Sequence, residues 1–163
     1  MAEPVTKERP AASAPTRTRY EDDAYTWALE QVALLKSGHL DGLDVENLID
    51  EVGDVARREY DKLVAALRIV LLHILKWDVQ PERRTRSWIL SIIEHRERVN
   101  ESLGDNPGLK SRAIDALHRA YKGARVAAAR ETDLPLEAFP TECSYGWDDV
   151  MGRVFELTDT PQS

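Results

Sequence analysis

Between Leu67 and Trp77 the chain reads LRIVLLHILKW, and only Arg68, His73 and Lys76 in that run are strongly polar. The run ends a helical pattern that starts near Leu43. Val45, Leu48, Ile49, Val52, Ala56, Tyr60, Leu63, Leu67, Val70, Leu71, Ile74 and Trp77 return every three or four positions. In the first half, Glu46, Asp50, Asp54, Arg58 and Asp61 occupy the opposite side. From Leu67 onward apolar residues lie on nearly every side, and a helix of that kind is stable only when protein surrounds it. The pattern therefore predicts an all-α fold. Its form is a helical bundle of four main helices, with this long helix at the centre or partly in a dimer interface, and a short C-terminal helix.

The length of 163 residues suits one domain, and 42% hydrophobic with 31% charged residues suits an ordinary globular core. The organisation expected is a flexible N-terminal tail over 1–19, a helical-bundle domain over 20–155 and a C-terminal tail over 156–163. The tail over 1–19 offers Val5 as its one branched aliphatic residue and carries +2, which leaves −9 on the rest of a chain of net charge −7. That balance argues against a dedicated nucleic-acid binder, which needs a basic footprint. Cys143 is the sole cysteine, so no internal disulfide forms, as in a reducing compartment. No apolar run reaches bilayer length and the N-terminus has no apolar signal core, so the expected location is the cytoplasm, away from membranes.

The remaining elements follow from the same periodicity. A first helix is expected from Tyr20 to Ser37, with Glu21, Asp22 and Asp23 in its first turn and Gly38 as its stop. Its inward residues are read as Tyr20, Ala24, Trp27, Ala28 and Leu35. Asp41 or Asp44 caps the second. Pro81 fits the first position of a third helix that points Trp88, Ile89, Ile92, Ile93, Val99 and Leu103 inward and ends near Gly104. Asp105-Asn106-Pro107-Gly108 is a turn. A fourth helix follows from about Leu109 to Glu131, its face built from Ala113, Ile114, Leu117, Ala120, Tyr121, Ala124, Ala127 and Ala128. An extended segment pinned by Leu136, Phe139 and Tyr145 leads to a short helix from Trp147 to about Val154.

Four polar or aromatic constellations are candidates for chemistry. His73 points about 80° from the centre of the apolar stripe, near the angle of Glu59. With Glu51, Glu59 or Glu94 it is the candidate for a bundle-core catalytic or metal site, His73 and Glu51 being the metal candidates. The Glu-x-x-His pairs of di-iron bundles and the His-Glu-x-x-His of zinc hydrolases are both absent. The plainer reading is a core histidine bonded to one carboxylate or carbonyl and stacked on Trp77. Arg68 and His73 have the spacing of an Arg–His ribonuclease pair but point about 140° apart, and Arg68 reads as snorkelling to water. Arg83, Arg84 and Arg86 beside Trp88 oppose the dipole of the third helix. Either an anion compensates them, with Trp88 as a stacking platform, or internal carboxylates do, and the net charge favours the second. Tyr20, Tyr25 and Trp27 cannot all share one face, so at least one is expected exposed; exposed aromatics are often partner sites, though packing in the core or against the tail is commoner. Cys143 has no His or Cys near it in sequence and reads as a small apolar residue.

Five separated segments carry a resemblance. YEDDAYTWALEQVALL, DVENLIDEV (Asp44 to Val52), LLHILKW (Leu71 to Trp77), PERRTRSW (Pro81 to Trp88) and LPLEAFPTECSY (Leu134 to Tyr145) occur in the order of the bacterial family called domain of unknown function 29. The likeness spans roughly residues 20 to 155. Val45 stands where the family usually shows Trp, and Ser144 where it often shows Pro. The resemblance implies an all-helical bacterial protein with no assigned activity, and it brings no catalytic residues.

The sequence thus favours a non-enzymatic helical interaction or regulatory module that binds another protein or a second copy of itself, in the manner of one member of a toxin–antitoxin pair. The alternatives are a hydrolase or nuclease built on His73 and carboxylates, metal-assisted if at all, and an anion binder at Arg83, Arg84 and Arg86. No cofactor is expected, and a divalent metal only in the hydrolase reading.

Overall fold

The structure is a computed structural model that describes residues 17–157. Every regular element among these residues is helical. Of the expected tails over 1–19 and 156–163, residues 1–16 and 158–163 lie outside the described residues, while Arg17 donates to the Gly42 carbonyl at 2.9 Å and Thr18 bonds to Glu30. The elements are α1 (Ala24–Ser37), α2 (Val45–Val79), α3 (Arg86–Asp105), α4 (Ala113–Thr132) and α5 (Trp147–Gly152), joined by short 3-10 turns. The all-α bundle and its long second helix, 35 residues without a break, are as the periodicity predicts. By contacts the chain divides into two compact units, Met1–Gly53 and Asp54–Ser163.

In the first unit, α1 starts later than its acidic run suggests. Asp23 is its N-cap, accepting from the Thr26 N–H at 3.1 Å, so Glu21 and Asp22 precede the helix rather than filling its first turn. Gly38 ends it at φ 76°, the left-handed conformation glycine adopts without strain. Asp44 caps α2 by accepting from the Asn47 N–H at 3.3 Å. It is also the centre of the unit. Trp27 Nε1 donates to Asp44 at 3.0 Å, the Asn47 side-chain amide donates at 2.8 Å, and the Asp44 N–H donates to Gln31 at 2.8 Å. These bonds, led by the Asn47 side chain, hold the Asp44 carboxyl below its ordinary pKa. Tyr20 stacks edge-on to Trp27 with ring centroids 4.9 Å apart and donates to Glu51. On α1 only Trp27 and Gln31 are buried. Leu35, expected inside, is exposed.

The second unit holds the hydrophobic core. Leu63, Leu67, Val70, Leu71 and Ile74 of α2 are fully buried, with Ile92 and Val99 of α3 and Ala116, Ala120, Ala124 and Ala128 of α4. The small residues of α4 let its backbone approach a neighbour closely. Polar ties fasten the elements. Lys76 of α2 pairs with Glu131 of α4 at 2.8 Å, and Gln80 donates to the Thr132 carbonyl at 3.2 Å. Arg96 of α3 donates to the carbonyls of Val150 at 2.7 Å and Arg153 at 2.8 Å, which fixes the C-terminal segment. Asp78 receives Tyr145 at 2.8 Å and Arg153 at 2.7 Å. Burial and that bond to a carboxylate push the Tyr145 hydroxyl well up.

Several expected inward residues face water instead: Ile93 on α3, Ile114 on α4, and Val45, Ile49 and Val52 on α2. Pro81 opens a separate 3-10 turn, Pro81–Arg83, and α3 starts only at Arg86 behind its cap Thr85, which accepts from the Trp88 N–H. Thr85 accepts there while Arg84 is extended, so a cap replaces the helix continuation that Pro81 suggested. The fourth helix likewise begins after the 3-10 turn Pro107–Arg112. In the end piece Phe139 is fully buried, whereas Leu136 is exposed and pins little.

Candidate functional site

Three places merit chemical scrutiny: the surroundings of His73, the arginines before α3, and the apolar surface of the first unit.

His73 is part-buried in the second unit, and its Nδ1 is buried with no hydrogen-bond partner. The neighbouring ring is Trp88 of α3, with centroids 6.4 Å apart and a 40° tilt, not Trp77 one turn on. Burial first, then the Lys76 cation, pull its pKa down from 6.5 to about 4, while Glu131 acts in the opposite sense. His73 is therefore neutral at pH 7. The carboxylates proposed to join it do not converge on it. Glu59 lies fourteen residues earlier on α2, about 21 Å along the axis. It accepts from Lys62 at 2.6 Å and Asn106 at 3.3 Å, and the bond from Lys62 leads in holding it below its usual pKa. Glu94 is exposed and pairs with Arg98. Glu51 belongs to the first unit, where Tyr20 donates to it. Glu131, the carboxylate whose charge does reach His73, is taken by Lys76. Among the described residues no three His, Cys, Asp or Glu side chains gather as metal ligands would.

A groove of about 470 Å³ is lined by Glu59, Lys62, Ile69, His95, Arg98 and Glu101 among others. His73 is not among its lining residues. His95 donates from Nδ1 to the Ser91 carbonyl at 2.9 Å. The charges of the groove are largely paired along their own helices, Lys62 with Glu59 and Arg98 with Glu94.

The arginines before α3 behave differently from one another. Arg84 donates to the Trp77 carbonyl at 2.9 Å and lies over the Trp77 ring, 4.8 Å from its centroid. Arg83 and Arg86 are exposed, and no carboxylate pairs with either among the described residues. The internal pairing favoured by net charge is not what compensates this cluster. One cation is satisfied by a carbonyl and an indole face, and two stand exposed. Trp88 is half-buried, with Lys76 Nζ 4.6 Å from its centroid, so a cation already uses its ring. Arg68 runs out to water across Gly123, where its Cδ would lie 3.2 Å from an added Cβ. Cys143 is part-buried, and burial pushes its thiol pKa up, which suits an inert side chain.

The first unit carries a feature that reading one stripe per helix misses. On α1, Trp27, Gln31 and Leu34 follow a four-three spacing inward. Tyr25, Leu29 and Val32 repeat that spacing two residues earlier, roughly 160° round the helix, and all three are exposed, Tyr25 at 76%. The helix is thus apolar on two opposed sides and covered on one. On α2, Val45, Ile49 and Val52 are bare, Ile49 at 66% and Val52 at 68%. The signal was in the sequence: a second four-three apolar pattern runs opposite the first, with Thr26, Glu30 and Ser37 along one flank between them.

Among the described residues no helix is long and apolar enough to cross a membrane. Comparison with curated proteins and with solved structures finds no match. The chain belongs to the family described as Domain of unknown function DUF29, whose model matches residues 19–156.

Proposed function

We propose that this chain is a helical protein–protein interaction module working in the cytoplasm, and that its first unit is the docking element. The observation that carries this reading is the second apolar side of α1: Tyr25, Leu29 and Val32 are exposed opposite the buried Trp27 and Gln31. A helix apolar on both sides is at home between two layers of protein. Contiguous exposed apolar surface on a soluble chain marks interaction sites, and exposed Tyr is among the residues that anchor them. A catalytic reading draws no comparable support, because His73 has no converging carboxylates and Lys76 occupies Glu131.

The test is photo-crosslinking in the source cell. A photoreactive amino acid replaces Leu29 or Ile49 on the apolar surface, or Glu97 on the charged exterior of α3. The reading expects discrete adducts with other proteins from positions 29 and 49 and none of these from 97. Equal yields from all three, or no adduct from 29 and 49, would contradict it.

A further inference from the structure

We infer that a second copy of this chain docks on the outer side of α3, the two helices antiparallel about a two-fold axis, so that Leu90 of each copy meets Ile93 of the other and Arg86 of each meets Glu97 of the other. The surface belongs to the second unit, and the inference does not depend on the docking role of the first.

At 100° per residue, Arg86, Leu90, Ile93 and Glu97 fall within about 60° of one another round α3. The buried residues of that helix, Ile92 and Val99, lie about 130° and 150° from the middle of the group. The four residues therefore form one outward stripe. Leu90 is 53% exposed and Ile93 49%. Arg86 and Glu97 are exposed, and neither makes an ion pair or hydrogen bond among the described residues. Glu94 and Arg98 beside them are paired with each other.

The order along the stripe selects the occupant. Leu90 and Ile93 flank a midpoint, and Arg86 precedes that midpoint by as many positions as Glu97 follows it. A two-fold axis through the midpoint, perpendicular to the helix, brings a cation to an anion at both ends and encloses four aliphatic side chains between them. Such self-complementarity of one patch is what an isologous dimer requires. At the shallow crossing angle of ridge-and-groove packing, the charges sit roughly 8 Å along the axis from the crossing, within reach of long side chains. Parallel copies would set Arg86 on Arg86 and Glu97 on Glu97, which like charges oppose. A foreign helix would need the same chemistry in reverse order, whereas a second copy carries it by construction. The contact also answers the cations before α3. Arg83 and Arg86 stand at the positive end of the helix dipole with no carboxylate of their own chain paired to them among the described residues. Glu97 of the other copy supplies one to Arg86. One helix on one helix is a small interface of the transient kind, so the pair forms and parts with concentration.

Sedimentation velocity of the full chain, taken into the high micromolar range, tests this. The particle is expected to pass reversibly from one copy to two as concentration rises. Arg86→Glu leaves the stripe with two acids and Glu97→Arg with two bases, so each variant alone should associate about tenfold or more weakly than the parent. Mixed in equal amounts, the two variants should re-form a dimer about as strong as the parent's, because every Glu of one then faces an Arg of the other. Leu90→Ser should also weaken the dimer. These side chains are exposed, and far-ultraviolet circular dichroism should show the helix content of each variant unchanged. A chain that stays monomeric at the highest concentration would overturn the inference. So would a dimer that either charge variant leaves intact, or variants that fail to associate when mixed.

Discussion

Ile49 and Leu67 belong to one apolar repeat in the sequence of α2, eighteen residues apart. Leu67 is 0% exposed and Ile49 is 66% exposed. The same register holds for Val45 with Leu63 and for Val52 with Val70, each bare residue matched by a buried one. One apolar stripe therefore serves as core at one end of the helix and as surface at the other. Leu67→Ala is expected to cost about 2–5 kcal/mol, the usual range for a truncated core leucine, while Ile49→Ala should cost under about 0.5 kcal/mol. Urea unfolding of both variants measures the difference. Comparable losses would mean that Ile49 is packed in solution.

Lys76 is a buried cation held by a half-exposed carboxylate, Glu131, and by the Trp88 ring. Glu131→Ala should destabilise by about 1–3 kcal/mol, below the full cost of a stranded buried charge because water reaches the Glu131 end. Lys76→Met keeps the volume and removes the charge, and should fall within about 1 kcal/mol of the parent or above it. Equilibrium denaturation of the two variants separates the roles of the partners.

His73 sets a pH dependence. Its pKa is about 4 in the folded chain against 6.5 ordinarily, so the unfolded chain binds more protons between those values. Stability from this group is whole above pH 6.5 and falls as the pH drops through the window to 4. The loss is of order 2 kcal/mol after allowing for the solvent that reaches this part-buried ring. His73→Leu removes both the titration and the orphan Nδ1. It should flatten that part of the stability curve and leave pH 7 stability equal or higher. A slope unchanged in His73→Leu would assign the acid loss to carboxylates.

Asp44 holds the first unit through Trp27, Asn47 and Gln31. Asp44→Ala should raise amide exchange over Ala24–Gly53 and leave the amides of α3 and α4 protected as before. A uniform rise across the chain would show that the two units open together.

What the sequence made legible was periodicity. The long α2, Gly38 at the end of α1, the alanine face of α4 and the burial of Phe139 all follow from spacing and backbone chemistry. Helix starts were less legible, because capping is decided by which nearby oxygen reaches an amide. Asp23 and Thr85 accept from Thr26 and Trp88, and so α1 begins directly behind the acidic run and α3 five residues after Pro81. Apolar spacing also does not say whether anything covers a face, and Val45, Ile49 and Val52 read the same as Leu63, Leu67 and Val70. Pairings between helices were the least legible. Lys76 with Glu131 spans 55 residues, and no local pattern marks it. His73 stands out in the sequence as a polar residue within an apolar run, and its neighbours are Trp88 and Lys76 rather than the acids expected.

Amide hydrogen exchange of the full chain, alone and with the partner that the Leu29 crosslink captures, tests the docking face most directly. A docking element at the first unit predicts new protection confined to Ala24–Ser37 and to the start of α2 through Gly53. Protection appearing instead around Glu59, His95 and Arg98, or no change anywhere at saturating partner, would contradict it.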